Sequence, residues 1–284
     1  MGREIYRFKV GDFECAAIHD GSIAPPVSLN EVFPNAPRPL LEQVIDEYDL
    51  GSELIISYTC LVVQAGERVL LVDTGYGTGS PLPGAGKLVQ NLRTAGIEPE
   101  QVDTVILTHG DGDHIGGNAN DDGAPTFPNA RYVMWREGWE YFTSKGTLAQ
   151  MEEERAAFTR ARLVSIRERI DLIDKEMEIV PGVRFFPAPG HKPGHATVVV
   201  SSNGQKLLCI ADAIALPFQL QYPDWHMIFD FAPEKAAATR CQLLEQAAQE
   251  NMLVYGYHLP FPGLGYVVPE GEAWRWQPIG DSDV

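Results

Sequence analysis

The stretch VDTVILTHGDGDHIGG, residues 102–117, decides how this chain is read. Its first part, Val102–Leu107, is an apolar run bounded by polar residues, as expected of a strand buried on both faces. Directly after it, His109, Asp111, Asp113 and His114 place four metal-binding side chains within six residues. In an extended loop, residues two apart point the same way. On that pattern His109, Asp111 and Asp113 converge and His114 points elsewhere, which suits two adjacent metal positions. Gly110 and Gly112 remove side chains that would crowd the ions. An acidic, glycine-rich turn carrying two incidental histidines is the alternative, and the density of donors after a buried strand disfavours it.

Outward from this stretch, the chain reads as strand pairs followed by a helix and a strand, once in each half. Ile5–Val10 and Phe13–Ile18 form a hairpin across Gly11-Asp12. Residues 21–53, rich in proline and acidic residues, form a long excursion with one helix near Leu40–Tyr48, expected to be a lid or pocket wall. Strands follow at Ser57–Gln64 and Arg68–Val72. A loop over Gly75–Gly86 leads into a helix at Lys87–Ala95, and Arg131–Trp135 is another strand. Residues 136–169 are helical, with a solvated face of paired charges. Strands resume at Ile170–Ile173, Glu178–Val180, Val183–Phe186, Thr197–Ser201 and Lys206–Ile210. Pro233–Gln249 is a helix, and Leu253–Gly256 is the last strand. This pattern gives sheets covered by helices, in an α/β or α+β arrangement, and the whole of 1–284 is expected to be one domain.

Three further segments carry ligand-type residues. Pro189-Gly190-His191-Lys192-Pro193-Gly194-His195 holds two histidines between tight turns. The run Leu207–Ala211 ends at Asp212, and Leu253–Tyr257 ends at His258. With the upstream Asp73-Thr74-Gly75, the set resembles the metallo-β-lactamase-fold hydrolases, whose signature is H-x-H-x-D-H, a later histidine in a P-G-H turn, a bridging aspartate and a final histidine. The resemblance runs from about residue 57 to 267 and is similar in its C-terminal half to the branch of N-acyl-homoserine lactonases and methyl parathion hydrolase. It implies a four-layer αβ/βα sandwich with a dinuclear centre, zinc being the first expectation. One metal would be held by His109, Asp111 and His195, the other by Asp113, His114 and His258. Asp212 would bridge them, and Asp73 would hydrogen-bond the histidine loop without touching metal.

Asp111 departs from the signature, which has histidine there. Three carboxylates, two divalent ions and a bridging hydroxide sum to zero charge, against plus one with histidine. The site is therefore expected to be less electropositive, with manganese or iron gaining on zinc. His191 is read as a turn residue or one that supports a ligand without touching metal, and His19 as structural. Phe33, Tyr222, Trp225, His226 and Phe229 are candidates for a substrate pocket. The tyrosine that the lactonase branch carries just after its bridging aspartate is missing, since Ala213, Ile214 and Ala215 follow Asp212.

The expected activity is hydrolysis of a small neutral ester, lactone or related substrate, with the hydroxide as nucleophile and Asp113 orienting it or relaying a proton. Two other classes were weighed: a non-hydrolytic di-iron redox protein, and a degenerate metal-binding protein without catalysis. The redox branch of this fold has a carboxylate at the equivalent of Asp111 but also a flavodoxin domain, for which 284 residues leave no room. Composition narrows the partners. Lysine and arginine number 22 against 39 aspartates and glutamates, a net charge of −17. That balance disfavours nucleic acid and anionic membranes. A hydrophobic fraction of 44% supports a packed core rather than disorder. No apolar run is long enough to span a membrane, and no secretory signal precedes the first strand. Cys15, Cys60, Cys209 and Cys241 lie far apart, as free thiols do in a reducing cytoplasm. A small-molecule substrate is the expected partner, with a homodimer entertained.

Overall fold

The computed structural model describes residues 4–50, 54–78, 84–120 and 122–280. The ends of the excursion (51–53) and part of the loop expected over Gly75–Gly86 (79–83) lie outside the described residues.

Two seven-stranded sheets form the centre. The first contains β1 (Ile5–Val10), β2 (Phe13–Ile23), β3 (Ile56–Ala65), β4 (Arg68–Val72), β5 (Thr104–Leu107), β6 (Arg131–Trp135) and β7 (Ile170–Ile173), in chain order. The second contains β8 (Met177–Val180), β9 (Val183–Pro187), β10 (Ala196–Ser202), β11 (Gln205–Cys209), β12 (Leu253–Tyr255), β13 (Leu264–Glu270) and β14 (Ala273–Pro278), again in chain order across the sheet. Both sheets are mixed. β4 to β7 run parallel, as do β11 and β12, while the other pairs are antiparallel. The last two strands were not expected from sequence.

The helices are α1 (Leu29–Val32), α2 (Arg38–Glu47), α3 (Leu88–Thr94), α4 (Gly112–Ile115), α5 (Arg136–Thr143), α6 (Lys145–Leu148), α7 (Glu153–Val164) and α8 (Pro233–Gln249). The helical stretch expected over 136–169 is broken at Ser144, whose side chain caps α6 by accepting from the Thr147 N–H. The excursion holds two helices instead of one. α2 starts with a proline at its second position, where the missing N–H does no harm.

Side-chain alternation assigns the layers. On β2 to β5, Cys15, Ala17, Leu61, Val63, Leu70, Val72 and Ile106 face the other sheet and meet Phe185, Val198, Leu207 and Cys209. Their neighbours Ala16, Ile18, Cys60, Val62, Leu71, Val105 and Leu107 face the opposite way and pack with Leu88, Leu92, Phe142 and Leu163 from α3, α5 and α7. The outer face of the second sheet is covered by Leu243, Leu244 and Ala247 of α8. The result is helix, sheet, sheet, helix. The ends of β4, β5, β11 and β12 lie together, and the loops leaving them carry the donors.

Candidate metal centre

The site is built on the loop after β5. Its polarity begins with Asp73, at the end of β4, in the left-handed region at φ 59, a conformation that aspartate tolerates better than most residues. Asp73 Oδ1 accepts the Thr108 N–H at 2.8 Å, and Oδ2 accepts the Thr108 hydroxyl at 2.8 Å. Oδ2 also pairs with His114 Nδ1 at 2.9 Å, leaving Nε2 of that ring free to face the site.

The loop stays extended only as far as Asp111. Gly112–Ile115 then turns into a single helical turn. The alternation expected through Asp113 therefore ends, and Asp113 joins His114 instead of His109. Gly110 serves packing. A Cβ at Gly110 would stand 2.4 Å from the Phe142 ring, while Gly112 faces Phe158.

Two outer groups of donor atoms result, joined by a third, His109, His114 and Asp212, that spans them. His109, Asp111 and His191 form one, and Asp113, His114 and His258 form the other; each group has its ligand atoms within 4.8 Å of one another. In the first, Asp111 Oδ2 is 3.6 Å from both His109 Nε2 and His191 Nε2. In the second, Asp113 Oδ2 is 3.5 Å from both His114 Nε2 and His258 Nε2. Asp212 lies between them. Its Oδ2 is 3.3 Å from His191 Nε2 and 3.2 Å from His258 Nε2, and its Oδ1 is 3.1 Å from His114 Nε2. The preceding residue, Ala211, has φ 45, a strained conformation for alanine that turns Asp212 into the site.

The P-G-H turn corrects the sequence reading. His195 Nδ1 donates to the Ala188 carbonyl at 2.6 Å, and its Nε2 accepts the Asp212 N–H at 3.2 Å. With both ring nitrogens engaged by backbone, this histidine holds the loop together and presents no donor. His191 takes the place expected of His195. Gly190, at φ 134 with no room for a Cβ against Ala236 of α8, directs it inward. His191 Nδ1 pairs with Asp230 Oδ1 at 3.0 Å. Asp230 in turn accepts the Met227 N–H and lies 3.7 Å from the buried Arg240. His258 Nδ1 donates to the Ser57 carbonyl at 3.1 Å.

Several nitrogens and one oxygen at the centre are buried without a hydrogen bond: His109 Nε2, His114 Nε2, His191 Nε2 and Asp212 Oδ1. Buried polar atoms are ordinarily paired, and these four face one another across the gap between the two groups. The electrostatics agree. Burial lowers the His114 pKa, but Asp212, Asp113 and Asp73 outweigh it and raise it well above the ordinary imidazole value. Burial likewise opposes, and Asp111 and Asp230 overcome, in His191, whose pKa is raised. Asp111 and Asp212 are held well below the carboxylate range because the surrounding imidazoles overcome the cost of burial. His195 goes the other way, lowered well below the usual value by burial and then by His109 and His191. The centre thus concentrates negative charge, which divalent ions would answer. Its donor set of imidazoles and carboxylates fits them.

Asp111 also has two cationic neighbours. Lys192 Nζ lies 3.1 Å from its Oδ2, and Arg155 Nη2 lies 3.3 Å from its Oδ1. Tyr58, whose ring is 5.2 Å from that of His258 and 4.9 Å from that of Tyr76, borders the second group. Burial, then Asp113, raises the pKa of both tyrosines, so both stay protonated. Sequence reading missed Tyr58, Tyr76, Lys192, Arg155 and Asp230. Only the tight P-G-H-K-P-G-H turn marked any of them.

The expected pocket residues divide. Phe33 (1% exposed) and Trp225 (3%) are sealed in a cluster with Leu41, Val44, Leu216 and Phe218. They form no open wall. Tyr222 stacks on Trp225 at 4.2 Å. The His226 N–H donates to Asn35 Oδ1. Phe229 is exposed, and its carbonyl accepts from Lys192 Nζ. His19 pairs with Glu4 and Ser22, away from the donors.

Comparison with known proteins places the chain. A family model described as Metallo-beta-lactamase superfamily matches residues 56–258. An N-acyl homoserine lactonase of Bacillus cereus is 25% identical over 226 residues, covering 73% of this chain and 83% of that protein. Another, from Bacillus sp, is 28% identical over 229 residues with the same coverage. Among solved structures, AidC, a dizinc quorum-quenching lactonase in complex with a product, N-hexanoyl-L-homoserine, superposes with a TM-score of 0.90 at 25% identity over 97% of each chain. The hydrolase AbOPH superposes with a TM-score of 0.89 at 25% identity over 100% of each.

Proposed function

The chain belongs to the metallo-beta-lactamase superfamily, and from that premise we propose a metal-dependent hydrolase that opens a small, neutral lactone or a related ester. The observation that carries the proposal is the set of buried donor atoms on His109, His114, His191 and Asp212 that converge on one gap without a hydrogen bond. We assign one ion to His109, Asp111 and His191, the other to Asp113, His114 and His258, with Asp212 between them. Two divalent ions there would acidify water near neutral pH and polarise a carbonyl oxygen. The dizinc lactonase similar to this chain supports zinc. The carboxylate at Asp111 makes the first position richer in oxygen, which supports manganese or iron more than an all-imidazole set would.

The chain's own groups have distinct tasks. Asp73 and Asp230 fix the rings of His114 and His191 so that their Nε2 lone pairs face inward. Asp113, half-buried at the edge of the site, is placed to accept a proton from an attacking water. Tyr58, paired with Tyr76, offers a neutral hydroxyl beside the second group. Although buried, it would be the candidate to donate to a substrate oxygen in place of the tyrosine missing after Asp212. The net charge of −17 favours uncharged substrates over polyanions. No described helix is long and apolar enough to cross a membrane. The free cysteines, three of them buried, support a reducing, cytoplasmic setting.

The test is a hydrolysis screen over N-acyl-homoserine lactones, aryl esters, phosphotriesters and thioesters, with zinc, manganese or iron(II) added to stripped protein. Turnover of a lactone or ester that chelation abolishes and metal restores is expected. Equal turnover before and after chelation, or none with any metal, would overturn the proposal.

A further inference from the structure

Asp111 stands in a position where Lys192 has a use only because a carboxylate is there. Lys192 Nζ lies 3.1 Å from Asp111 Oδ2, with the lysine side chain 13% exposed. Its other partner is the Phe229 carbonyl. The same Oδ2 is the atom that lies 3.6 Å from His109 Nε2 and from His191 Nε2. One carboxylate oxygen therefore serves both the ammonium and the first group of metal donors. Arg155 sits on the other oxygen from the first turn of α7, its side chain 59% exposed and its charge well screened. An imidazole at position 111 would find the ammonium against it, with no lone pair left to satisfy both the lysine and a metal.

Charge supplies the second part of the argument. A carboxylate in place of an imidazole removes one unit of charge from the centre. A half-buried ammonium at 3.1 Å from that carboxylate returns it. Resting on the two-metal reading above, we propose that Asp111 and Lys192 are a matched pair. Lys192 restores the electropositive character that Asp111 removes, and it does so by sharing Asp111 Oδ2 with the first ion, which is held more weakly than the second. The pair keeps the oxygen-rich donor set without the loss of net charge that Asp111 alone would bring. It makes Lys192 a positioning residue, acting through Asp111.

The experiment is a titration of stripped protein with Zn²⁺, and separately with Mn²⁺, against a competing chelating dye, on the wild type, Lys192→Met, Asp111→Asn and the double variant. The expected result is two ions in the wild type, one held about tenfold or more weakly than the other. Lys192→Met tightens the weaker site about tenfold and leaves the stronger unchanged. Asp111→Asn loses the weaker ion, and Lys192→Met adds nothing in that background, so the effects are not additive. Lys192→Arg, which keeps the charge, binds as the wild type does. It holds the comparison together if the methionine variant fails to fold. Unchanged or looser binding in Lys192→Met, or additive effects across the cycle, overturns the pair and leaves the hydrolase reading standing. No ion in the wild type overturns both.

Discussion

At the scale of single residues, the two histidines of one turn have opposite roles. His191 presents Nε2 to Asp111 and Asp212, while His195 binds backbone at both ring nitrogens. His191→Asn is therefore expected to lose one metal ion and at least about a hundredfold of activity, and to melt no lower than the metal-stripped wild type. His195→Asn is expected to keep its metal but lose about 1–3 kcal/mol of stability, because the buried Asp212 N–H is left without its acceptor. Metal analysis and thermal melts on the two variants distinguish these roles, and exchanged outcomes would refute them. Asp230→Asn, which weakens the bond fixing the His191 ring, should reduce metal affinity or activity about tenfold to a hundredfold. Tyr58→Phe should cut turnover with no change in metal content, as measured by steady-state kinetics beside metal analysis. Sequence alone could name the donors of VDTVILTHGDGDHIGG, because they sit within a few residues of one another. It assigns the donor of the P-G-H turn to His195, where the structure groups His191 with His109 and Asp111. That choice depends on Gly190 pressing against α8 and on an aspartate 39 residues downstream.

At the scale of elements, the segment between β11 and α8 ties the site to the rest of the fold. It carries Asp212, Phe229 and Asp230. Arg240 of α8 fixes it from below, donating to the carbonyls of Ala213, Pro223 and Trp225 while fully buried. Above it, the excursion is stitched on by the Ile228 N–H to the Val32 carbonyl and by Asn35 to the Asp224 carbonyl. Arg240→Met should destabilise the protein by about 3 kcal/mol or more, since three buried carbonyls and Asp230 lose their partner. A denaturant titration checks this, and a loss under about 1 kcal/mol would show that the segment holds without Arg240. The regular strands were legible because their alternation or apolar continuity spans several residues. β13 and β14 were not. β13 contains Gly265 and Pro269, and β14 is a mostly exposed edge strand with only Trp276 well buried. Neither shows the pattern of a covered strand. Phe33 and Trp225 are candidates for a pocket wall from sequence, although aromatic residues are more often core. The excursion closing over Leu216 and Phe218 makes them core.

At the scale of the whole molecule, two sheets face each other and bring loops from both halves to one edge. His109, Asp111, Asp113 and His114 come from the first sheet's side, His191, Asp212 and His258 from the second. Ions held across that edge would link the two halves, so their binding would contribute to stability as well as chemistry. Stripping the metal is expected to lower the melting temperature by several degrees, with full recovery on adding zinc. The measurement that tests the central claim most directly is anomalous X-ray diffraction from crystals of the zinc-loaded protein. Two peaks sharing Asp212 are expected, one bound by His109, Asp111 and His191 and the other by Asp113, His114 and His258. The absence of both peaks, or a peak bound by His195 Nε2 in place of His191, would contradict that claim.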